Sequence, residues 1–201
     1  TKLKQYNNVQ IVEYISIDKS WIPDNITLDD IILPSNRNLG KDSIEYLSIQ
    51  LMKMKLVNDA RKYIPPECEY LAWIDFGIFH MISDIPNAYK KLQSIAEKNN
   101  FPRDKIIAPS PLHNPEQYSG NDIWNNIHWY FSGSFFLGHR DLFENIYQQQ
   151  RELIIAGLPH ITWEINYWYM MRDKFKIYYG DHNDSILNMP IDGFKDENRN
   201  I

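Results

Sequence analysis

The chain has 201 residues, with 21 Lys+Arg against 26 Asp+Glu for a net charge of −5, and is 43% hydrophobic and 14% aromatic. That composition excludes a disordered chain, and the acidic balance excludes a phosphate-backbone binder, so no nucleic-acid partner is expected. The single cysteine, Cys68, closes no internal disulfide, and no apolar run approaches the ~18 residues that span a bilayer, which implies a single-domain globular protein with no transmembrane segment, cytoplasmic in location.

In chain order, β-branched residues mark 9–17 as a strand and 30–33 as a shorter one stopped by Pro34. Asp42 can cap the next helix, with Glu45 reaching back as in a capping box. Ile44, Leu47, Leu51 and Met54 then recur at the period of one buried helical face, and Pro65 and Pro66 end that helix. Residues 70–74 are apolar on both faces, and Asp75 follows at once. A continuous apolar strand belongs in the middle of a sheet covered on both sides. A helix over 87–98 leads to a strand at 105–108 and a Pro/Asn-rich loop, 109–122, with the composition of a mobile segment. Residues 128–137 read as a strand broken by Ser132-Gly133-Ser134. A helix capped by Asp141, with Glu144 in its first turn, closes at Gly157 and Pro159. A third helix over 162–172 and a last strand over 175–179 complete an α/β fold with a central mixed, mostly parallel sheet flanked by helices.

Two tripeptides, Asp75-Phe76-Gly77 and His139-Arg140-Asp141, imitate the metal-binding and catalytic loops of a protein kinase. Their order is reversed, and Ile146 stands where the catalytic loop needs Asn. No Gly-rich phosphate loop or dinucleotide fingerprint is present. The kinase reading is therefore excluded.

Three clusters carry chemistry. Asp75 stands at the carboxyl end of the most apolar strand, where open α/β sheets bind ligands; the plainer alternative is an acid that caps a turn. Asp181-His182-Asn183-Asp184 also follows a strand, and its oxygen and imidazole donors suit Mn²⁺ or Mg²⁺ better than Zn²⁺; the alternative is a solvated polar turn. Thr162-Trp163-Glu164-Ile165-Asn166 opens a helix among Tyr167, Trp168 and Tyr169, and Glu164 there is either functional or simply helix-stabilising. Lys53 and Lys55 are the nearest cations for an anionic ligand, although their plainer reading is as solvated helix lysines.

The run Trp73-Ile74-Asp75-Phe76-Gly77-Ile78 resembles the metal-binding acid motif of GT-A-fold glycosyltransferases, and 131–138, Phe-Ser-Gly-Ser-Phe-Phe-Leu-Gly, resembles their donor-sugar loop. Residues 162–168 together with 181–185 are similar to the bacterial HtrL/YibB-like group, and small glycan transferases of large algal viruses are of comparable size. The likeness covers roughly residues 41–186. It implies a metal-dependent glycosyltransferase moving sugar from a nucleotide donor, by analogy a UDP-sugar, to a hydroxyl of a glycan or glycoconjugate acceptor, with the host cytoplasm as its location if the source is viral. In that reading Asp75 and His182 hold Mn²⁺ or Mg²⁺. Ser132, Gly133, Ser134, Trp163, Asn166 and Lys55 form the donor side. Glu164 is the catalytic residue on the acceptor side. The usual motif carries a second acid where this chain has Gly77, so metal binding leans more on the Asp181-His182-Asn183-Asp184 cluster. The first nucleotide-binding strand is either 9–17 or a segment upstream of Thr1. Two rivals are a sugar-phosphate nucleotidyltransferase, which should open on a Gly-rich loop, and a catalytically inactive glycan-binding module.

Overall fold

A computed structural model describes residues 21–98, 100–111, 122–179, 184–187 and 189. The elements in order are α1 (Ile44–Leu51), α2 (Lys53–Ala60), β1 (Tyr70–Ile74), α3 (Ile85–Ala96), β2 (Ile106–Ser110), β3 (Phe135–His139), α4 (Leu142–Gly157), α5 (Glu164–Met170) and β4 (Phe175–Tyr179). The fold is α/β, with a four-stranded mixed sheet in the order β1-β3-β2-β4. The expected strand at 9–17 lies outside the described residues, as do residues 112–121 of the expected loop.

Strand alternation explains why helices cover both faces. Ile106 and Ala108 of β2 join one core with Phe136 of β3 and Phe175 of β4, packed by α1, α2, α4 and α5. The intervening Ile107, Phe135, Leu137 and Tyr178 join a second core with Ala88 and Ile95 of α3. Successive side chains leave a strand on opposite faces, so an uninterrupted apolar run feeds two cores at once.

Several expectations are corrected. The sheet is mixed, but β1 and β3 pair antiparallel, as do β2 and β3, and only β2 and β4 pair parallel. β3 alone runs against the others and sits between two of them. Among the described residues β1 is an edge strand rather than a central one, with Ala72 exposed and Ile74 39% exposed. Residues 30–33 form no strand; Ile32 makes one isolated parallel bridge to His160. The first helix is broken at Met52, and the Gln150 amide of α4 donates to the carbonyl of Leu51 at 2.8 Å beside that break. Ser43, not Asp42, caps α1 by accepting from Tyr46 N at 3.2 Å. Asp141 makes no cap hydrogen bond, and its carboxylate pairs with Arg61 at 3.1 Å. No helix among the described residues is long and apolar enough to cross a membrane.

Register places the two kinase-like tripeptides apart. Tyr70 of β1 faces His139 of β3, and Ile74 faces Phe135, so His139-Arg140-Asp141 and Asp75-Phe76-Gly77 sit at opposite ends of the pair, roughly 17 Å apart at the strand rise. Arg140 donates to the carbonyls of Pro65, Pro66 and Cys68, which makes it a clasp for the chain entering β1.

Candidate functional site

The antiparallel pairing of β1 and β3 brings the carboxyl end of one beside the amino end of the other. Asp75 N extends the ladder by donating to Ser134 O at 2.9 Å, so the acid and the Ser132-Gly133-Ser134 turn become neighbours. The turn is tied to β2 through Ser132 N to Pro109 O at 2.8 Å, and its two hydroxyls bond each other at 2.8 Å. Both serines are buried.

Lys53, at the start of α2, points into this junction and is 2% exposed. Its ammonium donates to Gly133 O at 2.8 Å, lies 3.1 Å from Glu164 Oε1 and 3.2 Å from Asp75 Oδ1, and sits 5.8 Å from the centre of the Trp73 ring. An ammonium has three N–H donors, and here three acceptor groups from three distant segments surround it. The expectation of a solvated Lys53 is therefore overturned. A buried charge has to be paired, and the pairing is what assembles the cluster.

Asp75 is the open member. Its side chain is 34% exposed, against 8% for Glu164. Trp73 Nε1 donates to Asp75 Oδ1 at 2.5 Å, so indole and ammonium together fix the carboxylate. With one cation between two carboxylates the cluster carries a net formal charge of −1. Gly133 is required by close approach: a Cβ there would run into Glu164 Oε1 and lie 3.2 Å from Ile165 Cγ2. Lys41 lies nearby, held above the ordinary lysine range first by hydrogen bonding with Tyr46 and then by the charges of Asp42 and Glu164, against its own desolvation.

The other residues singled out in the sequence divide by position. Trp163 is buried, and its Nε1 donates to Asp42 Oδ2 at 3.3 Å. Asn166 is fully buried: its amide donates to Ile123 O, Asn126 O and Thr162 Oγ1, and its oxygen accepts from His128 N at 2.7 Å. That set of bonds commits Asn166 to holding the 123–128 segment against α5. Lys55 pairs with Asp59 at 2.6 Å, one turn along its own helix. Ser132, Gly133, Ser134, Asp75 and Glu164 are brought together. His182 lies outside the described residues. The lysine that reaches the site is Lys53, which the apolar periodicity of the helix does not single out.

For a divalent cation, the Asp75 carboxylate is a hard oxygen donor at the rim of the cluster. No group of three or more His, Cys, Asp or Glu side chains gathers among the described residues. Mg²⁺ and Mn²⁺ are held by one or two carboxylates with substrate phosphates and water completing the shell, so a single open carboxylate fits such an ion when the ligand brings phosphates. Comparison with family models, with curated proteins and with solved structures returns no match.

Proposed function

We propose that the chain is a glycosyltransferase that takes a nucleotide sugar, a UDP-sugar by analogy, as donor and a glycan or glycoconjugate hydroxyl as acceptor. The observation that supports this most is the Lys53 cluster. The acid after the apolar strand, the Ser-Gly-Ser turn and the glutamate that opens α5 are far apart in sequence, yet each contacts one ammonium. These are the same three motifs that resemble glycosyltransferases, and they converge at the carboxyl end of β1, where α/β sheets bind ligands.

In this reading Asp75 holds Mn²⁺ or Mg²⁺ together with the donor diphosphate. The bound ion supplies Lewis-acid stabilisation of the charge that grows on the departing nucleoside diphosphate. Ser132, Gly133 and Ser134 line the donor sugar. Lys53 has its donors committed to Gly133, Asp75 and Glu164, so it orients these groups rather than reaching the phosphates. Glu164 is 6% exposed with Oε1 against Lys53, a position suited to bracing the donor turn from below rather than to collecting a proton from an acceptor.

The test is nucleotide binding. UDP with Mn²⁺ at about 100 times its dissociation constant adds about 2.7 kcal/mol, a rise in Tm of roughly 5–10 °C at this length. GDP, CMP and ADP should shift Tm hardly at all, and Asp75→Asn should abolish the UDP–Mn²⁺ shift. A panel in which no nucleotide shifts Tm, with or without Mn²⁺, overturns the transferase and leaves a glycan-binding module.

A further inference from the structure

The connection between β1 and α3 leaves apolar surface in water where the fold had the means to bury it. Ile78 in this turn is fully buried, whereas Phe76, two residues earlier, is 95% exposed. Backbone bonds hold the turn: Asp75 N to Ser134 O on one side, Ile78 N to Asp75 O at 3.0 Å and His80 N to Gly77 O at 3.1 Å on the other. Ile74, Ile85 and Tyr89 are 39%, 40% and 59% exposed, so four of the ten large hydrophobic side chains exposed among the described residues fall within 74–89. Single exposed hydrophobics need no explanation, but a ring as open as Phe76, one residue from the open carboxylate of the site, does.

We infer that Phe76 is the platform on which an acceptor sugar ring rests, an inference that builds on the glycosyltransferase reading. A pyranose presents an apolar C–H face and a polar hydroxyl edge, and sites for such ligands combine an aromatic face with a few placed polar groups. Phe76 offers the face, one residue along the chain from the open carboxylate of Asp75. The charged residues between 75 and 84 are Asp75 and Asp84, both acids, which disfavours an anionic lipid surface as the occupant. Phe76 is 95% exposed whereas Ser132 and Ser134, assigned to the donor, are buried.

Saturation-transfer NMR with lactose, cellobiose and methyl α-mannopyranoside as probes, in the presence of UDP and Mn²⁺, tests this on the parent, Phe76→Ala and Phe76→Trp. The parent should saturate the ring C–H protons of at least one probe, Phe76→Ala should lose about fivefold or more of that signal, and Phe76→Trp should keep it. UDP–Mn²⁺ affinity, measured by calorimetry on the same samples, should stay within about twofold across the three, because Phe76 is outside the donor turn. No sugar signal in the parent, an unchanged signal in Phe76→Ala, or Phe76-dependent co-sedimentation with phosphatidylcholine/phosphatidylserine vesicles overturns the platform. Failure of the transferase reading itself shows separately, as absent UDP–Mn²⁺ binding in the parent.

Discussion

Lys53→Met removes the one cation that separates two carboxylates and a carbonyl, and the geometry sets the size of the effect. The ammonium lies 2.8 Å from Gly133 O, 3.1 Å from Glu164 Oε1 and 3.2 Å from Asp75 Oδ1. Breaking a buried ion pair by removing one partner costs about 3–5 kcal/mol, because the remaining charge is left buried and uncompensated. Only Glu164 fits that description. Asp75 is 34% exposed, so water takes over most of its share, and the lower end, about 3 kcal/mol, is expected. For a chain of this length that corresponds to a fall in Tm of about 6–12 °C. Adding Glu164→Gln removes the orphaned charge, so the double variant should regain about 1–2 kcal/mol over the additive expectation. Thermal denaturation followed by circular dichroism at neutral pH reads all four corners of the cycle. A single variant within about 2 °C of the parent, or a double variant whose loss equals the sum of the two single losses, would refute the ammonium as the centre of the cluster.

Glu164→Gln alone keeps an oxygen for Lys53 but cannot take a proton; as a brace it should reduce sugar transfer by less than the ~100-fold that marks a lost general base, and a loss of 100-fold or more in steady-state kinetics would return Glu164 to the acceptor-base role. Gly133→Ala pushes a methyl group into Glu164 Oε1 and against Ile165, which should cost about 1–3 kcal/mol in urea denaturation as the Lys53–Glu164 contact opens; a change below about 0.5 kcal/mol would mean that the turn yields freely.

Local chemistry made most elements legible. Residues 70–74 and 175–179 are the observed strands β1 and β4, because aromatic and β-branched runs fit a pleated, half-buried surface. The helix closed by Gly157 is found where its stop signal puts it, and the one expected over 87–98 is found at Ile85–Ala96. What failed depended on partners distant in sequence. Residues 30–33 have the composition of a strand, yet Ile32 finds only the single bridge to His160. The capping assignments at Asp42 and Asp141 failed for the same reason. Asp42 is drawn to Trp163 Nε1 and Asn38 N, Asp141 to Arg61, and a carboxylate with a better partner leaves the cap to a neighbour such as Ser43. Nor does sequence reveal which edge of an apolar strand is paired, since both faces of β1 look equally hydrophobic whatever lies beside it.

The site divides along the same line. Asp75 is legible because its position relative to a strand end is local, and the antiparallel register that sets Ser134 against it follows once β3 is known to run the other way. Lys53 is not legible, because hydropathy patterns class a lysine as solvent-facing, and on an unbroken helix it would sit about 100° round from Met54. α2 nevertheless buries both, because other elements pack around its first turn. Lys53, Met54 and Val57 are all buried, and the ammonium meets acceptors 22, 80 and 111 residues away. Each of those acceptors has a separate reason to be there: the end of a strand, a turn before a strand and the first residue of a helix. None of the three predicts a buried cation alone. Two acids and a carbonyl converging in a place with little water require one, and α2 supplies the only lysine that the structure shows at that junction among the described residues.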